Sequence, residues 1–282
     1  MYEAHFGLKQ LPFTLTPNTS LFHGLSPHYE AIHTVLSAIS MGEGIIKVTG
    51  EVGTGKTLVC RMLINELPSS VELLYLPNPV MNGHELRQVL AKELWLDQSG
   101  DDIALIDRIH EKIIDLHAEG KLVVVFIDEA QALSDEALET LRLFGNLETD
   151  YKKLLQIVLF GQPELDERLQ QHNLRQLRQR ITFSALLRAL NMNETVAYIR
   201  YRIAESGCEN NPFSLVQMKA IWKATNGIPR LINQVCHKSL LIAFSEQVNN
   251  VPSKAVFNAI IDTADTVKPK HYFPTFWGWR VS

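Results

Sequence analysis

Gly50-Glu51-Val52-Gly53-Thr54-Gly55-Lys56-Thr57 follows the apolar run Ile45 to Val48 and opens a helix-compatible stretch. A glycine-rich turn between strand and helix, closed by Lys-Thr, is the Walker A pattern in the context it needs. The glycines let backbone N–H groups close around phosphate oxygens, and the amino terminus of the next helix adds a favourable dipole. On this reading residues Gly50 through Leu58 cradle ATP. Lys56 reaches the β- and γ-phosphates, and the Thr57 hydroxyl is a ligand to Mg²⁺.

A second motif completes the first. Leu122-Val123-Val124-Val125-Phe126-Ile127-Asp128-Glu129 is a continuous apolar run that ends in two carboxylates, the pattern of a buried parallel strand. It reads as a Walker B element. Asp128 holds the Mg²⁺ shell at the strand's carboxyl end, and Glu129 polarises the water that attacks the γ-phosphate.

Around these motifs strands and helices alternate. A helix from Ser26 to about Met41 precedes the strand Ile45–Thr49, and a helix from Lys56 to about Leu67 follows it. Next come a strand over Glu72–Leu76, a helix from Asn82 or Gly83 through Trp95, and another over Ile103–Glu119. After the Walker B strand, Ser134 caps a helix to Phe144, and strands are expected over Leu155–Phe160 and Thr182–Leu186. Strands separated by helices predict an α/β fold, a parallel sheet with helices on both faces. Beyond residue 187 only helical signals remain, at about Met192–Ser206, Ser214–Thr225, Pro229–Ser245 and Ser253–Thr263. The expected domains are therefore 1–187, including an amino-terminal segment 1–44, then a small all-helical domain 188–266 and a tail 267–282.

An α/β nucleotide-binding domain followed by a helical lid is the layout of the AAA+ P-loop ATPases. Gly227-Ile228-Pro229-Arg230 resembles their sensor 2 motif, which implies that Arg230 reaches the γ-phosphate within the same subunit. Gln162, in Phe160-Gly161-Gln162-Pro163-Glu164-Leu165, occupies the sensor 1 position. Leu174-Arg175-Gln176-Leu177-Arg178-Gln179-Arg180 lies where these proteins carry an arginine finger for a neighbour's nucleotide, with Arg180 the first choice and Arg178 the second.

Finer wording narrows the likeness. Phe6-Gly7-Leu8-Lys9, Pro12-Phe13, Thr16-Pro17-Asn18, Asp128-Glu129-Ala130-Gln131, Gly161-Gln162-Pro163-Glu164-Leu165 and Asn226-Gly227-Ile228-Pro229-Arg230 together resemble the ExeA/GspA group of bacterial secretion ATPases. The resemblance spans about residues 2–265. It implies ATP hydrolysis in support of type II secretion or, in the shorter MshM-type branch, mannose-sensitive haemagglutinin pilus biogenesis, with an inner-membrane protein as partner. The end at Ser282, without a transmembrane helix or peptidoglycan-binding domain, favours the shorter branch as an expectation.

Composition fits a soluble globular chain of about two domains, with 46% hydrophobic and 21% charged residues among 282. A formal net charge of −4 offers no global attraction to nucleic acid, which is not an expected partner. No apolar run approaches the roughly 18 residues that span a bilayer, and the amino terminus lacks a signal-peptide pattern. A cytoplasmic location, with peripheral contact to the inner membrane, is expected. The three cysteines and ten histidines have no metal-ligand spacing, so the thiols are read as reduced and buried.

Charge is unevenly placed. Residues 128–167 carry ten acidic and three basic side chains, whereas 168–202 carry seven arginines against the single acid Glu194. Adjacent segments of opposite sign suit head-to-tail pairing in a homo-oligomeric ring, though charge on separate solvated faces gives the same pattern. The tail His271-Tyr272-Phe273-Pro274-Thr275-Phe276-Trp277-Gly278-Trp279-Arg280 suits a membrane interface or a partner's groove; folding back onto its own domain is the alternative. Two other functional classes share this core: a DNA-handling ATPase of initiator or transposition-accessory type, and an adaptor in which nucleotide only sets a conformation.

Overall fold

A computed structural model describes residues 2–14, 24–77, 79–149, 153–208 and 210–269. Its contacts divide the chain into two units, His28–Gly50 with Lys56–Leu187, and Met1–Pro27 with Glu51–Gly55 and Arg188–Ser282.

The first unit is built on five strands, β1 (Ile45–Thr49), β2 (Val71–Leu76), β3 (Leu122–Ile127), β4 (Leu155–Gly161) and β5 (Ile181–Leu186). They form one parallel sheet in the order β2-β3-β4-β1-β5. β3 and β4 are interior strands with nearly every residue buried, which is why their sequences run apolar without alternation. On one face, Val123, Val125, Ile157 and Leu159 join a core closed by α3 (Gly83–Glu93), α4 (Asp102–Ala118) and α5 (Asp135–Phe144). On the other face Phe126 and Phe160 meet edge-on at 5.5 Å, each worth about 1.5–3 kcal/mol in burial. Gln156 there donates to Ile39 O of α1 (Ser26–Met41), and Cys60 of α2 (Lys56–Glu66) is buried.

Register brings the carboxyl ends of the central strands to one edge: Thr49 lies opposite Gly161, and Ile127 opposite Leu159. The turns that follow β1, β3 and β4 therefore emerge together.

Several element ends differ from the sequence reading. The helix expected through Trp95 stops at Glu93, because Trp95 takes a left-handed φ of 59° and Leu96 N–H closes back on Ala91 O. α4 starts at Asp102, one residue early, since the Asp101 side chain caps Ala104 N–H. Two short helices had not been anticipated, α6 (Pro163–Leu169) and α7 (Arg175–Arg180).

The helical unit contains α8 (Met192–Glu205), α9 (Leu215–Thr225), α10 (Pro229–Ser245) and α11 (Ser253–Asp262). Capping boxes, Asn191 with Glu194 and Ser214 with Gln217, start α8 and α9. Of the amino-terminal segment 1–44, expected with the α/β domain, the part up to Pro27 groups instead with the helical unit, while His28 onward stays with the sheet. Tyr2, Phe6, Leu8 and Phe13 are buried in the core formed by α8 to α11. Arg202 Nε donates to Pro12 O at 2.6 Å and Asn233 Nδ2 to Thr14 O at 3.2 Å, and Tyr2 OH and His237 Nδ1 share a hydrogen bond at 2.9 Å. Aromatic side chains of this size need an apolar wall, and these helices supply it.

Cys60 and Cys236 are buried as expected, whereas Cys208 is half-buried. Among the described residues no helix is long and apolar enough to cross a membrane. Thr16-Pro17-Asn18 and the tail from residue 270 onward lie outside the described residues.

Candidate functional site

The turn after β1 is shaped by its glycines. Gly53 and Gly55 have φ of +85° and +108°, a region that side-chain-bearing residues rarely enter. Thr54 holds the turn through its N–H and its hydroxyl, both donating to Glu51 O, and Gly50 N–H donates to Gly161 O at the end of β4. Lys56, the first residue of α2, is buried, and its Nζ donates to Gly50 O at 2.7 Å. An ammonium held by a backbone oxygen of the turn is positioned to transfer to an incoming phosphate.

Asp128 follows β3 and is 3% exposed. Thr57 Oγ1 donates to its Oδ2 at 2.9 Å, and Glu129 N–H donates to its Oδ1 at 3.0 Å. Burial raises the Asp128 carboxyl above its ordinary range, and the Glu129 charge adds to that, against the lowering effect of the Thr57 hydroxyl, the Glu129 N–H and the Lys56 ammonium. A hydroxyl and a carboxylate side by side are hard oxygen donors, the set that fits Mg²⁺.

Glu129 adopts a left-handed backbone, φ 57° and ψ 40°. For a residue with a side chain this costs about 1–3 kcal/mol and persists only where surroundings enforce it. Its carboxylate turns toward the end of β4, where Gln162 Nε2 donates to Oε2 at 2.8 Å. Gln131 Nε2 donates to the same oxygen. Burial alone would raise this carboxyl, but the two amides and the Lys56 ammonium outweigh it, and the acid sits below its usual range. Glu129 is therefore an anion at neutral pH.

Arg230 is the second residue of α10. Its N–H donates to Gly53 O at 3.2 Å, and a Cβ on Gly53 would lie 2.6 Å from Arg230 Cβ. Glycine at 53 is thus required by close approach as well as by φ. The turn before α10 is latched: Leu190 N–H donates to Gly227 O, Trp222 Nε1 donates to Leu190 O, and a Cβ on Gly227 would fall 1.9 Å from that Leu190 oxygen. The guanidinium itself is exposed.

Of the sequence-predicted residues, Lys56, Thr57, Asp128, Glu129 and Gln162 converge at one edge of the sheet, while Arg230 packs its backbone on the loop glycine. Glu51 and Val52 are exposed on the loop, and Leu58 is half-buried in the first turn of α2. Arg178 and Arg180 are exposed on α7; among the described residues neither side chain makes a hydrogen bond or ion pair, and the Arg180 charge acts on the Glu148 carboxyl from a distance. The sequence reading missed Gln131 as a site residue. Its signal was the polar fourth letter of Asp128-Glu129-Ala130-Gln131, where a side chain just past a turn can fold back on the acid.

A cleft of about 880 Å³ lies by Gly42, Leu122 and Lys153 at the opposite edge of the sheet. Ligands of open parallel sheets bind beyond the carboxyl ends of the strands, so this cleft is not the candidate site.

Sheet order, phosphate-type loop after β1 and acidic pair after β3 define a P-loop fold of the AAA type. Residues 39–169 match the family described as AAA domain. The chain is 41% identical over 247 residues to General secretion pathway protein A of Aeromonas hydrophila; the match covers 87% of this chain and 45% of that relative, so the chain spans under half its length. Among solved structures, Cdc6p from Pyrobaculum aerophilum superposes with a TM-score of 0.65 at 15% identity, covering 91% of this chain and 70% of that one. The Aeropyrum pernix ORC2 protein in ADPNP–ADP complexes gives 0.63 at 15%, covering 89% and 72%. RuvB of Thermotoga maritima gives 0.58 at 16%, covering 88% and 73%. At these identities the three establish a shared fold and nothing further.

Proposed function

We propose that the chain is a Mg²⁺-dependent ATPase whose turnover serves assembly of a type II secretion or type IV pilus machine at the inner membrane. The observation that carries the enzymatic half is the Glu129 carboxylate, ionised and aimed by amides beside the Thr57–Asp128 pair. Lys56 exchanges its bond to Gly50 O for the β- and γ-phosphates, and the loop amides from Gly50 to Leu58 hold the remaining oxygens. Thr57 and Asp128 would hold Mg²⁺, which would supply positive charge to offset that of the phosphates. Glu129 accepts a proton from the attacking water as its oxygen bonds to the γ-phosphorus and the bond from that phosphorus to the bridging oxygen breaks, releasing ADP and phosphate. Gln162 senses the γ-phosphate through the same amide that orients Glu129, and Arg230 reaches it from α10, with the helical unit acting as lid.

Arg180, with Arg178 second, acts on the nucleotide of a neighbouring copy, which makes the working form a ring. Support for the secretion half is the 41% identity to General secretion pathway protein A. Within that half the pilus branch, of MshM type, is our narrower proposal, with the aromatic tail 267–282 as the peripheral contact. A DNA-handling role rests on shared fold alone and is the second choice.

Phosphate release from ATP, measured with Mg²⁺ and with excess chelator for the wild type and for Lys56→Ala, tests the enzymatic reading. The expected result is turnover only in the wild type with metal. Equal rates in all four conditions would remove it. Complementing a gene deletion with wild type or Lys56→Ala, and scoring surface pili and secreted protein separately, tests the cellular half. No defect in either would remove that.

A further inference from the structure

Glu129 is gripped twice on one oxygen. Gln131 and Gln162 both donate to Oε2, and Oε1 makes no hydrogen bond with any described residue. Gln131 cannot simply flip its amide, because its Oε1 accepts the Gln162 N–H at 3.1 Å while its Nε2 serves Glu129. The backbone of the same residue is braced. Arg168 Nη1 donates to Gln131 O at 2.8 Å and to Leu133 O at 2.6 Å, and Asp135 pairs with that guanidinium. Space is reserved as well: a Cβ on Gly161 would meet Leu165 Cδ2 at 2.6 Å and Gln131 Oε1 at 3.4 Å.

We infer that Gln131 is a positioning residue for hydrolysis, pinning Oε2 of Glu129 so that Oε1 is presented to the attacking water. The inference rests on the reading of Glu129 as the group that activates water. Gln162 alone leaves the carboxylate able to swing about a single bond. The second amide, arriving from the turn that follows Glu129 itself, removes that freedom. Gln131 acts through Glu129 and touches no reacting atom, so its loss alters how well water is activated and leaves nucleotide affinity alone.

Two substitutions test this. Gln131→Met keeps the length of the side chain and removes both amide functions; Gln131→Glu keeps the acceptor for Gln162 N–H and replaces only the donor. Both are expected to lower kcat roughly 10- to 100-fold, the cost of misplacing a catalytic group, with KM for ATP and the affinity for a fluorescent ATP analogue within about 2-fold. The decisive reading is a double-mutant cycle by single-turnover hydrolysis. In a Glu129→Gln background either Gln131 change should have no further effect, because the group it positions is already gone. An additive loss in that background, or wild-type kcat in Gln131→Glu, overturns the inference while Glu129→Gln remains slow. Wild-type turnover by Glu129→Gln itself overturns the reading beneath it, and the two failures are thereby told apart. Should Gln131→Met not fold, Gln131→Glu, which preserves the bond from Gln162, decides alone.

Discussion

The acidic corner at the end of β3 and the exposed arginines differ in how the chain treats them. Asp128, Glu129, Lys56 and Thr57 are buried or half-buried; Thr57 and Glu129 N–H bond Asp128, and Lys56 bonds Gly50 O. Arg178, Arg180 and Arg230 present their guanidiniums to solvent. Groups that bind the ground-state nucleotide must be ready before it arrives, so the fold supplies their partners internally. Cations that answer charge developing during transfer are of use only once nucleotide, or a second copy, is in place.

The largest expected effect tests that contrast across copies. Arg180→Ala should lower turnover per subunit by about 10³–10⁵ if it acts as a finger, and wild-type turnover per subunit should rise with protein concentration. Mixing Arg180→Ala with Lys56→Ala subunits should restore part of the activity, since each supplies what the other lacks. A rate independent of concentration, with no rescue, would place the arginines outside the chemistry. Next in size, Thr57→Ala should raise the Mg²⁺ concentration for half-maximal hydrolysis roughly 10- to 100-fold while leaving metal-free nucleotide affinity intact. An unchanged metal dependence would break the assignment of the Thr57–Asp128 pair.

A smaller effect concerns the turn that carries Arg230. Gly227 has a φ of +73°, and Leu190 O occupies the place a Cβ would take. Gly227→Ala should cost about 2 kcal/mol or more in urea unfolding, and the slope with denaturant should stay unchanged. The least effect is a pH dependence in the same unit. Burial lowers the pKa of His237 below its usual 6.5, opposed by Glu3. The neutral, half-buried ring therefore contributes stability that is complete above pH 6.5 and is lost as pH falls through the depressed folded value. His237→Gln, which keeps an acceptor but does not titrate, should flatten that acid slope. An identical slope would assign it elsewhere.

What was legible in the chain was what local chemistry writes. Lys56, Thr57, Asp128 and Glu129 could be placed because a glycine-rich turn and a fully apolar strand each declare a backbone geometry by themselves. Gln162 was legible from its place just after a buried strand. Gln131 was not, because its contact depends on Glu129 entering a left-handed backbone that no spacing rule predicts for glutamate. α7 was hidden for another reason: six residues rich in arginine carry too little periodicity, with Leu177 the one buried position. The amino-terminal segment was misplaced because its partners, Arg202 for Pro12 and His237 for Tyr2, lie about 200 residues away in sequence. Nothing near Tyr2 or Phe13 encodes which apolar wall will receive them.

The central claim is that Glu129 activates water at a site that binds nucleotide without it. Its most direct measurement pairs fluorescent-nucleotide affinity with single-turnover phosphate release for Glu129→Gln and wild type under the same Mg²⁺. The predicted result is affinity within about 3-fold and turnover reduced by roughly 10²–10⁴. Turnover near the wild-type rate, at undiminished affinity, would contradict it.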